Sequence, residues 1–153
     1  QREVDEAAQQ RYLASFFESD RHMGFAIMGG RFAEGIDYRG NALIGAIIVG
    51  PGLTQANSEQ QLIQQDFETL QLDGFDYAFR FPGLIRVKQS AGRVIRSEQD
   101  RGVVVLLDRR FRQAGYRQHL PRNWNPRYCK SPESLEQSLT EFWHAREETD
   151  AED

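Results

Sequence analysis

Apolar positions along this chain fall into two patterns. Short continuous runs occur at Gly24–Met28 (GFAIM), Leu43–Val49 and Val103–Leu107 (VVVLL). Each is bounded by turn-forming residues: Gly29-Gly30 after the first, Gly40-Asn41 before the second, Gly50-Pro51-Gly52 after it, and Asp108 after the third. Runs of that length between such boundaries predict strands buried on both faces. Elsewhere apolar residues recur at spacings of three and four, the mark of amphipathic helices. The spacing predicts helices over 3–18, over 58–72 with Leu62, Ile63, Phe67 and Leu70 as its stripe, and over 83–96 with Leu84, Val87, Ala91, Val94 and Ile95 inward. A helical stretch near Asp76 is expected to break at Phe81-Pro82-Gly83, and a short helix to cover 110–116. The last helix opens at Ser131-Pro132-Glu133-Ser134, with Pro in the first turn, and runs to about Arg146 with Leu135, Leu139, Phe142 and Trp143 inward.

Strands alternating with helices predict an α/β fold, a mostly parallel sheet with helices on both faces. Three strands are few for such a sheet, and the opening helix has no strand feeding it. A first strand is therefore expected to be lacking from this chain. The expected organisation is one domain over 1–146 and a frayed acidic tail over 147–153. The chain begins with Gln1, so a fragment of a longer protein is expected.

Charge changes this picture. The 153 residues carry 19 basic and 23 acidic side chains, a net charge of -4. Between Arg80 and Arg127 the balance reverses to twelve basic against three acidic residues, a local +9 set against -13 in the remainder. A uniformly acidic protein would make a poor partner for a polyanion; a basic segment of this size reopens that possibility. All the cations are Arg except Lys88 and Lys130. Neither lysine sits in a GxxxxGK[ST] sequence, so this chain has no P-loop of its own. No apolar run approaches the ~20 residues of a membrane span. The single cysteine, Cys129, can form neither an internal disulfide nor a thiolate cage, and a reducing, cytoplasmic setting is expected.

Two segments carry candidate chemistry. On the helix over 83–96, Arg86, Gln89, Arg93 and Arg96 gather opposite the apolar stripe, with Gly92 among them. That face reads either as a solvated basic surface or as a row of donors for phosphate oxygens. The second segment is Gly29-Gly30-Arg31-Phe32-Ala33-Glu34-Gly35-Ile36-Asp37, directly after the first predicted strand. It reads either as a glycine-rich connection or as a loop whose backbone N–H groups a phosphate can approach.

Taken together, GGRFAEGID, QSAGRVIR and the following EQDRGVVVLLD resemble motifs V and VI of superfamily 2 DNA helicases, in the DinG and XPD branch. Glu34-Gly35-Ile36-Asp37 match motif V. Gln89, Gly92, Arg93, Ile95 and Arg96 match motif VI, with Asp100 and Gly102 downstream. The resemblance extends over most of residues 3–146 and implies the second, carboxyl-terminal RecA-like domain of a two-domain motor. On that resemblance Arg93 and Arg96 are catalytic arginine fingers. Gln89, Gly92 and Asp37 are nucleotide-binding, and Gly30, Arg31, Glu34 and Gly35 lie along the nucleic acid. It further implies ATP and Mg²⁺ shared with a separate P-loop domain of the same protein, single-stranded DNA as the track, and a role in repair or replication. The family's iron–sulfur cluster belongs to the other domain; with one cysteine this chain cannot hold it. Asp5-Glu6-Ala7-Ala8 lies in a charged helix and does not fit a metal-binding DEAH box at a strand end. The alternative expectation is a non-catalytic module that docks nucleic acid or a protein through the basic segment 80–127.

Overall fold

The computed structural model describes residues 6–18, 21–30, 32, 43–95 and 100–145. It divides into two compact units, residues 1–120 and 121–153. The tail at 147–153 lies outside the described residues.

In the first unit the order is α1 (Glu6–Glu18), β1 (Gly45–Val49), α2 (Ser58–Thr69), a π turn (Asp76–Arg80) leading into α3 (Phe81–Ala91), β2 (Val103–Leu107), a 3-10 turn (Arg109–Arg112) and the short α4 (Ala114–Arg117). β1 and β2 are parallel neighbours, in register from Gly45 opposite Val103 to Val49 opposite Leu107. The result is an α/β architecture of the RecA-like kind.

Parallel pairing needs a crossover, and α2, the π turn and α3 supply it. α3 lies against β1. Its inward stripe, Leu84, Val87 and Ala91, follows the three-and-four spacing and is buried, as is Ile48 of β1. On the other face of the sheet Ile47, Val49 and Leu107 are exposed.

The run at 24–28 is not a strand. Its residues are coil closed by a turn in which the Gly30 N–H donates to the Ile27 carbonyl at 2.9 Å. Phe25 and Ile27 are exposed, 82% and 63% respectively, so the apolar run here reflects neither burial nor pairing.

The chain does not break at Phe81-Pro82-Gly83. Pro82 has no N–H for a helical ladder, and the wider π turn just before it absorbs the change, with the Phe81 N–H reaching back five residues to the Asp76 carbonyl. α2 is capped by the Asn57 side chain, which accepts from the Gln60 N–H at 2.8 Å. It ends earlier than its apolar stripe suggests, because Gln71 adopts a left-handed conformation at φ 59°.

Two aromatic groups fasten the unit. Phe32 is buried against Tyr12, Leu13, Phe16 and Leu43, with its ring centroid 4.5 Å from that of Tyr12. The Arg80 guanidinium lies over the rings of Phe75 and Tyr116, at 5.3 and 5.0 Å, and pairs with Asp76. That contact ties the start of α3 to the segment after β2.

In the second unit α5 (Pro132–His144) opens at Ser131-Pro132, as the sequence predicts, with a reciprocal cap between Ser131 and Ser134. Leu135, Leu139 and Trp143 line a shallow apolar groove along it, and Arg127 pairs with Glu141 at 2.8 Å. Among the described residues no helix is long and apolar enough to cross a membrane.

Candidate nucleotide-facing site

α3 runs antiparallel to the strands. Its first turn meets the carboxyl end of β1, where Gly83 and the Pro51-Gly52 backbone cross so closely that a side chain at Gly83 would strike the Pro51 carbonyl. Its last turn therefore reaches the amino ends of β1 and β2. There Ala91 is the last helical residue and Gly92 caps the helix, contrary to the expectation of helix through 96. The chain tightens into a turn, with the Arg93 N–H on the Ser90 carbonyl at 3.2 Å and the Val94 N–H on the Ala91 carbonyl at 3.0 Å.

Val94 holds this turn in place. Its side chain is buried and abuts Gly102, the residue before β2, where any side chain would collide with it and with the Ile44 carbonyl oxygen. The same Ile44 carbonyl accepts from the Val103 N–H at 3.0 Å, so one contact group joins the end of the helix to the start of both strands. Around it Gln89 and Gly92 are exposed and Arg93 is half-buried.

Gly92 has φ -66° and ψ -3°, values open to any residue. Among the described residues, a Cβ placed there would meet the Lys88 and Gln89 carbonyls of its own helix end, at 3.3 and 3.7 Å. Neither conformation nor internal packing demands a glycine, and the surface it leaves bare faces outward.

Arg86 does not join the row of donors drawn from helical spacing. Its guanidinium Nη1 donates to the Gly52 carbonyl at 3.0 Å and the Thr54 hydroxyl at 3.1 Å, bracing the chain that leaves β1. Of the other residues singled out by sequence, Arg31, Glu34, Gly35, Asp37 and Arg96 lie outside the described residues. Gly30 lies in the turn after 27, two residues before the buried Phe32. Val94 and Gly102 hold the Gly92–Val94 turn in position, a role that sequence reasoning did not give them; both stand inside or next to the second motif.

The opposite, carboxyl edge of the sheet holds a strongly shifted carboxylate, Asp108. Asp108 accepts from Arg110 Nε at 3.0 Å, Arg110 Nη2 at 2.8 Å and the Arg110 backbone N–H at 2.7 Å. The side-chain hydrogen bonds first, and the backbone one second, lower its pKa to about 2.

The small parallel sheet and the helix antiparallel to it form an α/β arrangement that fits a RecA-like domain. The sequence matches the helicase C-terminal domain family over residues 1–127, and the chain belongs to that family. It is similar to a probable ATP-dependent helicase of Methanocaldococcus jannaschii, 35% identical over 97 residues, covering 58% of this chain and 15% of that protein. The 3'-5' exonuclease DinG of Staphylococcus saprophyticus is 31% identical over 90 residues, covering 58% and 10%. The ATP-dependent DNA helicase XPD of Sulfolobus acidocaldarius is 32% identical over 95 residues, covering 60% and 17%. The chain thus spans 10 to 17% of the length of these relatives.

Proposed function

We propose that this chain is the second motor lobe of an ATP-dependent DNA helicase of the DinG and XPD type. In this reading Arg93 and Arg96 reach the phosphates of ATP held by a P-loop domain of the same protein. Gln89, Gly92 and Asp37 line the nucleotide, and Gly30, Arg31, Glu34 and Gly35 follow single-stranded DNA. The observation that carries it is the amino-edge turn: an exposed amide side chain, a bare glycine surface and a half-buried guanidinium on consecutive turns fit an anionic polyphosphate. The names of the relatives, two ATP-dependent helicases among them, support the same reading.

ATP with its Mg²⁺ supplies the phosphoryl group whose transfer drives the motor. The part of this chain is electrostatic. Guanidinium donors, fixed before the reaction, neutralise charge growing on the phosphoryl oxygens, a contribution of about 10³–10⁵ in rate. The Val94 contact holds the Arg93 backbone still against the strands, so little reorganisation accompanies the step. Because the same lobe carries the DNA-facing segment, a change in lobe spacing during hydrolysis moves the strand.

The test is DNA-stimulated ATP hydrolysis by the full-length protein. Arg93→Ala and Arg96→Ala are each expected to lower kcat by about 10³ or more while the protein stays folded. Normal hydrolysis by both variants overturns the assignment.

A further inference from the structure

A second group of arginines follows β2 and is not used by the site above. The two edges of the sheet are separated by the length of five-residue strands, about 16 Å. The Gly92–Val94 turn stands at the amino edge, whereas Arg109 to Arg117 begin at the carboxyl edge. These arginines therefore face a different part of the surface.

Their surroundings are strongly cationic. From residue 109 to residue 120, the end of the first unit, the chain has four basic side chains and no acid. The acid next in sequence, Asp108, is bound bidentately by Arg110, which neutralises one charge of each sign. Arg109, Arg112 and Arg117 are all exposed. Phe111 and Tyr116 turn inward, each 4% exposed, and Arg80 lies over the Tyr116 ring. The arginines thus stand on a short scaffold anchored from beneath.

In a 3-10 turn residues three apart eclipse, so Arg109 and Arg112 leave the scaffold on one side, about 6 Å apart along the axis. Beside them is an open cleft of about 460 Å³ lined by Asp108, Arg109, Arg110 and Gln113.

We propose that Arg109, Arg112 and Arg117 form a phosphate-contact surface for single-stranded nucleic acid at the carboxyl edge of the sheet, separate from the nucleotide-facing edge. The inference rests on the motor reading above. A single small anion would call for an enclosed pocket. An open row of arginines suits a polymer that presents successive phosphates, each able to take a guanidinium fork.

The experiment is fluorescence anisotropy of the full-length protein with a labelled oligothymidylate over a salt series. The double substitution Arg109→Gln with Arg112→Gln is expected to reduce the slope of log affinity against log salt by about 1.4, at ~0.7 for each single-strand phosphate that is no longer neutralised. Arg109→Lys with Arg112→Lys is expected to keep most of the slope, because the point charges remain; circular dichroism of both variants checks that the fold is intact. If the wild type binds but the glutamine variant keeps the full slope, the inference is overturned and the motor reading stands. If the wild type does not bind oligothymidylate at low salt, the motor reading fails and takes this inference with it. Displacement by polyglutamate as effective as by unlabelled oligothymidylate at equal charge assigns the surface to an acidic protein partner and also overturns it.

Discussion

The Val94 side chain fills the space that a side chain at Gly102 would need, and the Ile44 carbonyl oxygen closes that space from a second direction, 2.8 Å from where a Cβ would stand. Through this pair the last turn of α3 is locked to the first residues of both strands. Gly102→Ala is expected to cost about 1–3 kcal/mol by overpacking. Combining it with Val94→Ala is expected to recover part of that cost, so that the double variant is more stable than the two single losses predict. Thermal melts of the four proteins measure the coupling.

Gly92 separates fold from function. Its backbone conformation is ordinary and its nearest internal neighbours are carbonyls of its own helix end. Gly92→Ala is expected to alter stability by less than about 1 kcal/mol. If the bare surface receives the nucleotide, the same methyl group raises the KM for ATP at least tenfold, about 1.4 kcal/mol. Melting temperature and steady-state ATP hydrolysis of the full-length variant read the two effects separately.

Asp108 predicts a pH dependence. Its folded pKa of about 2 lies below the ordinary 3.8. The stabilisation from its pair with Arg110 is therefore complete above about pH 4 and is lost as pH falls through about 2. The pair is partly open to solvent, which holds its worth to the order of 1 kcal/mol. Urea unfolding of Asp108→Asn is expected to show a deficit of that order at neutral pH, shrinking as pH falls below about 4 and vanishing only below about pH 2.

Phe32 stands inside the glycine-rich segment yet is 6% exposed, packed on Tyr12 and Phe16 of α1 and on Leu43 ahead of β1. Phe32→Ala is expected to cost about 3–5 kcal/mol, and Phe32→Leu distinctly less. Chemical denaturation of both variants checks the order.

Much of the framework is legible in the residues alone. β1 and β2 carry β-branched and aliphatic runs, broken only by Gly45, between glycine and aspartate boundaries, and the caps Asn57 and Ser131 stand where their helices begin. The run at 24–28 behaves differently: its composition is that of a strand, but pairing and burial are properties of neighbours, and among the described residues it has no strand partner and leaves Phe25 and Ile27 exposed. Proline misleads in the same way at Phe81-Pro82. Its chemistry predicts a break, yet a π turn carries the helix through, because whether a missing hydrogen bond can be absorbed depends on the local ladder.

The candidate site divides similarly. QSAGRVIR and EGID point by themselves to the family, since such motifs are matters of side-chain chemistry and short-range order. Helical spacing alone would make Arg86 and Arg93 equals on one face. The tertiary structure binds Arg86 to the Gly52 carbonyl and Thr54, and ends the helix before Arg93. It also assigns the Gly92–Val94 turn and the Arg109–Arg112 turn to opposite edges of one sheet. That division follows from α3 running antiparallel to β1 and β2 against a shared core, an arrangement set by long-range packing that no local spacing encodes.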